Sequence, residues 1–574
     1  MAAELAEERL QRPLLPLEKA LLEVVWSEHC SYRQSRERLR LFPSSGPQVR
    51  VGPGEGVGAV AWEGPLSLAF RIESHNHPSA SHPREGAATG AGGILRDLVS
   101  TGAAPLFLGA ALSLPPFPSS LEEGIREGLS HYAERVGLPV PLLAVQRSPA
   151  FAERPLVNVL AVGVRHEAWP LSSRGAYPGA RLVVVGKPVD GMGLGAAAAA
   201  SRAGEPFSST VPPSDPDLGR KVLRLTLRLA KRRLLLAVQD LGAGGLGGAA
   251  WEMALKNGCG AFLDLEKVPS LPEIRDPFAL LLAETQERML LAVAPDRVER
   301  VLDLARHGGV PAADIGAFTQ DPHLVVHWGG QRWVSLSLAL LGEGPAPRPW
   351  PSFPEKLALS RRERLFTHVP HVFSLGTHEG AVLLVQGGRA LSRQPLGETF
   401  FLLVTAAFSL ALGGFMPLAI SNSLNLGDME EETTARSFLA ITEGIARGAR
   451  ELGLPVVSGN VSLQNKGRRS LPPVPVLALV GRRPPEREAL FHGQYGEGIL
   501  TWSPGKGPSL AAFLEELVGL VQSGFFRFDP HRMEVHQVGE AFFIRFRGVR
   551  LPEAPEPSGM IWEPLGGGDR PWAS

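Results

Sequence analysis

Glu73-Ser-His-Asn-His77 places five side chains that can ionise, hydrogen-bond or ligate in unbroken succession. Such a run cannot sit in an apolar core without partners. It follows the apolar stretch Leu66–Ile72, which reads as a strand. Continued in extended form, it puts Glu73, His75 and His77 on one face and Ser74 and Asn76 on the other. A His-x-His pair suggests zinc, yet no Cys or third His stands nearby at ligand spacing. A carboxylate for magnesium beside a neutral histidine acting as base fits these residue types better. A second cluster, Ser27-Glu-His-Cys-Ser-Tyr32, follows the helix-like Leu17–Trp26. It reads either as a surface turn or as chemistry, with His29 donating to phosphate or acting as an acid and Tyr32 contacting a nucleotide. Cys30 beside His29 invites a thiol nucleophile, but a contiguous pair supplies no triad geometry.

Gly86-Ala-Ala-Thr-Gly-Ala-Gly-Gly93 reads as a glycine loop whose backbone N–H groups can cradle phosphate. Arg96 beyond it can clamp an anion, and Asp97 can hold a metal bridging phosphate oxygens. Gly242-Ala-Gly-Gly-Leu-Gly247 satisfies the dinucleotide-binding pattern, with Asp264 near the distance of a ribose-binding acid. Against it, Asp240 sits at the turn where a pyrophosphate would dock, and only an intervening magnesium makes that carboxylate useful. Glu284-Thr-Gln-Glu-Arg-Met289 ends a helix-like run from Asp276 and also fits a solvated helix face. Ser458-Gly-Asn-Val-Ser462 reads as a small polar turn after an apolar strand, where backbone can approach phosphate. No Walker loop is present, so an ATP site here is of another type.

These groups need a frame, and the chain repeats one. Gly-Ala-Ala-Pro-Leu106 and Gly-Phe-Met-Pro-Leu418 each precede an apolar strand, offset by 418 − 106 = 312 residues. Gly137-Leu-Pro139 and Gly453-Leu-Pro455, then Val159-Leu-Ala161 and Val476-Leu-Ala478, follow in the same order at nearly the same offset. Two related halves of alternating strands and helices result, α/β or α+β. The halves differ chemically: where the first has Glu73–His77, the second has Ala381–Gly388, which is apolar and ends in Gly-Gly. One asymmetric site is expected.

A length of 574 residues suggests about three to five domains. Hydrophobic residues at 44% suffice for buried cores, and 58 basic against 58 acidic residues leave no basic excess for general nucleic-acid binding. Two cysteines exclude a disulfide framework and suit a reducing cytoplasm. Met1–Arg12 is charged and lacks the apolar core of a signal peptide. Phe400–Ile420 carries no charge and is long enough to span a bilayer, but Gly413, Gly414 and Pro417 interrupt it. It reads as a buried helix, a glycine turn and a buried strand.

In this order the motifs resemble the synthetase subunit of phosphoribosylformylglycinamidine synthase, over roughly Leu17 to Gly481. The strings that carry the resemblance are Trp26–Tyr32, Glu73–Ser79, Gly86–Gly90 with Arg96-Asp97, Gln239–Ala243, Gln286–Met289 and Ser458–Leu463. The resemblance implies an α/β (α+β) tandem duplication of an aminoimidazole ribonucleotide synthetase-like unit, each half a strand-rich N-subdomain followed by an α/β C-subdomain. The implied segments are a helical start with the His motif (1–45), first N- and C-subdomains (46–166 and 167–345), a second N-subdomain (346–485) and a reduced C-subdomain (486–574).

The implied reaction is phosphorylation by ATP of the amide oxygen of formylglycinamide ribonucleotide, followed by displacement with ammonia to the amidine. By resemblance His29 and His75 are catalytic, with His75 the proton acceptor. Tyr32, Arg71, Asn422 and Gly459 would bind ATP. Glu73 with Asn460, and Asp97 with Asp240, would hold magnesium. Ser74, His75, Asn76, His77, Arg96, Glu284, Thr285, Gln286 and Ser462 would bind substrate. A glutaminase subunit and a small bridging subunit would be partners, in the cytoplasm, with no nucleic acid or membrane involved. A second, structural nucleotide site is conceivable near Asp190–Gly195. Departures stand beside this: Asn422 replaces a usual Asp, Pro212 a usual Gln and Phe408-Ser409 an Arg-Asn pair; Leu143–Gln146 lacks the usual Gly-Gly-Glu. The alternatives are a diverged nucleotide-binding relative without turnover, or an NAD-binding oxidoreductase built on Gly242–Gly247.

Overall fold

The computed structural model describes residues 2–194, 211–352, 363–364, 371–387, 394–483, 494–502, 509–522, 526–538, 541–550 and 560–564. Among them the strands form four sheets. The first is ordered Val49–Val51, Gly58–Glu63, Leu66–Ser74, Leu156–His166, Ala103–Leu114, Leu142–Arg147. The third is ordered His371–Leu375, His378–Gln386, Val474–Arg482, Met416–Asn425, Val456–Ser462. Setting aside the short opening strand, the two agree in order and direction: three antiparallel pairings, then one parallel. The repeat seen in the sequence is a repeat of fold.

These two sheets pack face to face. Strand alternation separates their surfaces: Val382 and Leu384 join Val60, Leu68, Phe70 and Ile72 between the sheets, while Leu383 and Val385 turn outward to helices. Polar ties cross the contact as well. Ile72 N donates to Ser421 Oγ (3.1 Å), and Ser458 Oγ donates to Phe70 O (3.0 Å).

Helices cover the outer faces. Ser120–Val136 starts at Ser119, whose side chain accepts from Glu122 N, and stops at Gly137 in the left-handed region (φ 80°). It packs with Pro83–Ser100 over the first sheet. Over the third sheet lie Pro395–Leu412 and Glu432–Glu451. The uncharged stretch thus forms the helix Pro395–Leu412, a turn at Gly414 (φ 81°) and the strand Met416–Asn425, as its glycines imply. The two sheets do pack together, but the helix is hidden on the far side of the third sheet, under Glu432–Glu451 and Leu510–Gln522. It is the one described helix long and apolar enough to cross a membrane, and 94% of it is buried in the protein.

The second sheet is mixed, ordered Gln331–Ser337, His323–Trp328, Gly260–Asp264, Ala312–Thr319, Arg181–Gly186, Arg288–Val293, Ala237–Asp240. Ala237–Asp240 lies at its edge and runs antiparallel to Arg288–Val293. The glycine run after it leads through the helix Gly245–Asn257 to Gly260–Asp264, four places away across antiparallel neighbours and not an adjacent parallel strand as a dinucleotide fold requires, which removes the NAD reading. Gly247 instead admits neighbours, since a Cβ there would lie 2.9 Å from Leu21 and 3.1 Å from Leu281. The fourth sheet is antiparallel throughout and takes in Glu363–Arg364 together with strands from Gln494 to Pro564.

Candidate active site

The extended face expected for Glu73–His77 ends early. The strand stops at Ser74 and the helix Asn76–Ser81 begins, with His75 at the junction (φ −131°, ψ 49°). His77 is therefore presented by a helix. The expected glycine loop is also helical, the first half of Pro83–Ser100. Its glycines serve close approach: a Cβ would meet Ser79 N at 2.4 Å from Gly86, His75 Cβ at 2.9 Å from Gly90 and Tyr132 Oη at 2.8 Å from Gly92. Past the first turn its N–H groups are spent within the helix and cradle no phosphate. Ser458–Ser462, expected as a turn, belongs to the edge strand Val456–Ser462.

The strand end, the His29 helix (Glu28–Ser31) and Asp240 together border two chambers. The larger, about 670 Å³, is lined by Tyr32, Arg71, Asn422, Gly459 and Asn460, all but Asn460 expected for ATP. The smaller, about 150 Å³, is lined by Ser74, His75, Asn76, His77, Arg96, Glu284, Gln286 and Ser462, all expected for substrate. His29, Glu73, Asp97 and Asp240 line both. The groups expected to neutralise and transfer charge thus stand where the chambers meet.

Electrostatics at this waist is dense. Arg71 reaches Asp97 at 3.0 Å and Glu73 at 3.6 Å. Burial alone would lower its pKa, but Asp97 and Glu73 reverse that and raise it. Burial pushes Asp97 up, with Asp240 and Glu73 adding to the push against Arg71, and burial likewise raises Asp240. Burial acts on Glu73 too, but Arg71 and its other neighbours outweigh it and lower its pKa, so three carboxyls share two arginines at the waist, a balance that a divalent cation would relieve. Among the described residues no three His, Cys, Asp or Glu side chains converge on one metal position. Magnesium takes one or two carboxylates and completes its shell with phosphate and water, so these carboxyls would serve it in pairs and not as a trio. Burial lowers His75 to about 4, only partly countered by Glu73, and its Nδ1 is buried without a hydrogen-bond partner. His29, though its side chain opens onto the chambers, is lowered too, desolvation by the surrounding protein outweighing Glu73. Both rings are neutral near pH 7 and able to accept a proton. Burial drives the Cys30 thiol up to about 12, so it is no nucleophile at neutral pH.

Several expected ligands are already committed. Asn76 Nδ2 donates to Asn425, Ser462 and Asn465 at 2.7, 3.0 and 3.1 Å, and its Oδ1 accepts from Val157 N at 2.8 Å. It ties the halves together behind the small chamber. Asn460 Oδ1 accepts from Ser74 N (3.2 Å) and from the Ser74 hydroxyl, while its Nδ2 donates to Tyr32 Oη (3.4 Å). It reaches a metal only by releasing Ser74. Thr285 lines neither chamber and donates to Asp190 Oδ1 at 2.6 Å. Asp190 also accepts from Lys187 (2.8 Å) and Met192 N (3.1 Å), so the suggested second nucleotide site has its carboxylate occupied; Gly195 lies outside the described residues.

Known proteins resemble this chain in sequence and fold. "AIR synthase related protein, N-terminal domain" matches residues 54–165 and 403–482, and "AIR synthase related protein, C-terminal domain" matches 177–329. Phosphoribosylformylglycinamidine synthase subunit PurL of Thermomicrobium roseum is 34% identical over 540 residues, 84% of this chain and 73% of the relative. The chain belongs to the PurL family. PurL of Deinococcus radiodurans is 33% identical over 531 residues, 82% of this chain and 70% of that one. The fold is that of Thermotoga maritima PurL, solved complexed with FGAR (TM-score 0.83, 24% identity, covering 97% of this chain and 99% of that one) and complexed with ATP (TM-score 0.80, 23% identity, 96% and 99%).

Within this PurL-family frame the sequence left two supports unread. Glu28 accepts from Gln34 N (2.7 Å), Ser35 N (3.1 Å) and Ser35 Oγ (2.7 Å), fixing the turn after His29 and Tyr32. Arg288 donates to Ala283 O (2.7 Å) and Thr285 O (3.0 Å), shaping the loop that carries Glu284 and Gln286. The only signal for either was its place inside a family string, which says nothing of what the side chain holds.

Proposed function

We propose that this chain catalyses the ATP-dependent conversion of formylglycinamide ribonucleotide and ammonia to formylglycinamidine ribonucleotide, ADP and phosphate. The observation that carries the reading is the pair of chambers sharing His29, Glu73, Asp97 and Asp240. A nucleotide in the larger and a ribonucleotide in the smaller would meet at that waist. The names of the PurL relatives and the FGAR- and ATP-complexed neighbours support the same assignment.

Magnesium held by Glu73 with Asn460, and by Asp97 with Asp240, would screen the phosphates and polarise the transferring group. This chain's own residues do the rest. Tyr32, Arg71, Asn422 and Gly459 hold the nucleotide, and Arg96, Ser74, His77, Glu284, Gln286 and Ser462 orient the ribonucleotide so that its amide oxygen faces the nucleotide. Once the amide oxygen has taken the γ-phosphoryl group, leaving ADP, ammonia forms the C–N bond as the C–O bond to phosphate breaks; neutral His75 takes the proton that ammonia loses, with His29 beside it as the second acid/base group. The ammonia would come from a glutaminase subunit through a small bridging subunit, in the cytoplasm. The PurL designation as a subunit and the PurLQS structure of Thermotoga maritima support partners of this kind. We assign the domains as 1–45, 46–166, 167–345, 346–485 and 486–574, with Glu363–Arg364 lent to the last sheet.

The test is purified protein with ATP, magnesium, ammonium and the ribonucleotide. ADP release that requires the ribonucleotide, with amidine formed in equal amount, is expected. Tight nucleotide binding without turnover would instead make the chain a diverged binding relative.

A further inference from the structure

Arg96 is nearly fully buried at the small chamber, and its guanidinium does not stand alone. Nη2 donates to Gln286 Oε1 at 2.7 Å and Nη1 to Glu287 Oε2 at 3.4 Å. That same Glu287 oxygen accepts from Tyr132 Oη at 2.8 Å. Arg96 and Tyr132 belong to the helices over the first sheet, whereas Glu287 leads into the strand Arg288–Val293 of the second. The contact therefore joins two subdomains at the wall of one chamber.

Several features of the chain are shaped to it. Glu287 is fully buried and holds φ at 60°, a left-handed conformation that non-glycine residues reach only under constraint. Gly219, on the helix Pro216–Lys231, leaves room for both partners, since a Cβ there would lie 2.4 Å from Tyr132 Oη and 2.7 Å from Glu287 Oε2. Gly92 leaves room from the other side, where a Cβ would lie 2.8 Å from Tyr132 Oη. Gly186 lies against the Glu287 carbonyl, 2.0 Å from where its own Cβ would be. A left-handed backbone at Glu287 and glycines on three separate elements shape this contact: Gly219 against the carboxylate and the Tyr132 hydroxyl, Gly92 against Tyr132, and Gly186 against the Glu287 carbonyl. A buried carboxylate is costly unless paired; here Oε2 takes both bonds, from Tyr132 and from the Arg96 that faces the small chamber, while Oε1 has no hydrogen-bond partner.

We propose that Glu287 and Tyr132 are positioning residues for the proposed reaction: they fix the Arg96 guanidinium across the subdomain boundary and so set affinity for the anionic ribonucleotide, leaving nucleotide binding untouched. The proposal rests on the reading of the small chamber as the ribonucleotide chamber. Glu287 touches no substrate in this scheme; it acts through Arg96, with Tyr132 holding its carboxylate in place.

Tyr132→Phe keeps the ring and removes the hydroxyl, and Glu287→Gln keeps the shape and removes the charge. Each should raise the KM and the calorimetric Kd for the ribonucleotide about five- to thirtyfold, from the strength of a hydrogen bond to a charged group, with the KM for ATP within about twofold. In an Arg96→Lys background the further effect of Tyr132→Phe should shrink to about twofold or less, because the group it positions has gone. Melting temperature is measured on every variant. Loss of melting temperature with ribonucleotide affinity unchanged, or equal losses in both backgrounds, overturns the proposal and leaves a structural pair. A wild-type chain that binds no ribonucleotide at all overturns the underlying functional reading, and this inference with it.

Discussion

The end of the strand Leu66–Ser74 and the end of its repeat, His378–Gln386, occupy equivalent places in two sheets of one topology. At the first, Asn460 of the edge strand pairs with Ser423 and accepts from Ser74. At the second, Gln146 of the edge strand pairs with Ser113, donating to its hydroxyl at 2.8 Å, and Ser113 donates to Gln386 at 3.3 Å. The polar latch between sheets survives in both. The chemistry does not: Glu73 and His75 border Ser74, while Val385 and Gly387 border Gln386. The covering helices, 18 residues each, diverge the same way. One is opened by glycines and carries Arg96 and Asp97 to the site; the other buries Phe408 and Ser409 in an apolar core, with Phe408 5.5 Å from Phe513. Duplication supplied one frame twice, and only one copy kept charge at its open end.

The comparison breaks most visibly at His75. His75→Ala should reduce turnover by about two orders of magnitude or more, with nucleotide affinity retained, since Glu73 and Asp240 remain. Its folded pKa near 4 lies below the free value of about 6.5. Protonation therefore favours the unfolded chain, and stability is lost as pH falls from about 6.5 through 4. The acid limb of kcat/KM assigned to this ring should lie near pH 4, and a limb at 6.5 would refute its burial as the cause. Glu73→Ala comes next: ATP affinity should fall about tenfold and recover in part with excess magnesium, measured by titration at two metal concentrations. Unchanged affinity would take Glu73 out of the metal set.

How much of this was legible in the sequence differs by feature. The halves were visible because turn strings recur in the same order at nearly the same offset, and the site strings were visible because polar clusters after apolar strands stand out. Local conformation was less so. Gly86–Gly93 has loop composition, yet its glycines answer to Ser79, His75 and Tyr132, neighbours that a one-dimensional reading cannot supply. The alternation through His77 failed because the strand gives way at Ser74, where Asn76 is captured by Asn425 and Asn465 from the other half. Thr285 sits between two chamber residues but turns to Asp190. Glu287 was invisible as anything beyond part of a string.

A milder test compares the two latches directly. Asn460→Ala should weaken ATP binding and lower turnover by about fivefold or more, because it frees Ser74 and Tyr32 together. Gln146→Ala removes the matching bond at the other end and should cost about 1 kcal/mol of stability, with turnover within about twofold. Equilibrium dialysis with ATP should give one nucleotide per chain for the wild type and for Gln146→Ala alike. A second equivalent that disappears in Gln146→Ala would show that the repeat end also binds, and the asymmetry would fall.

The smallest effect separates Asp97 from its counterpart Ser409. The Asp97 carboxyl lies 3.0 Å from Arg71 at the waist, so Asp97→Ala leaves a buried cation short of a partner and removes a proposed metal ligand. Ser409 faces no chamber; its hydroxyl donates to Thr405 O at 2.7 Å, one turn back within the helix. Alanine at 409 removes that bond's donor and leaves Thr405 O its ordinary helical partner. It also places a better helix former in a buried, apolar position, which offsets most of the lost hydrogen bond. Ser409→Ala should therefore shift stability by less than about 1 kcal/mol, measured by urea denaturation, and leave turnover unchanged. A loss of turnover in Ser409→Ala with stability intact would mean that the second helix reaches the chemistry after all, and that both copies of the frame contribute to one site.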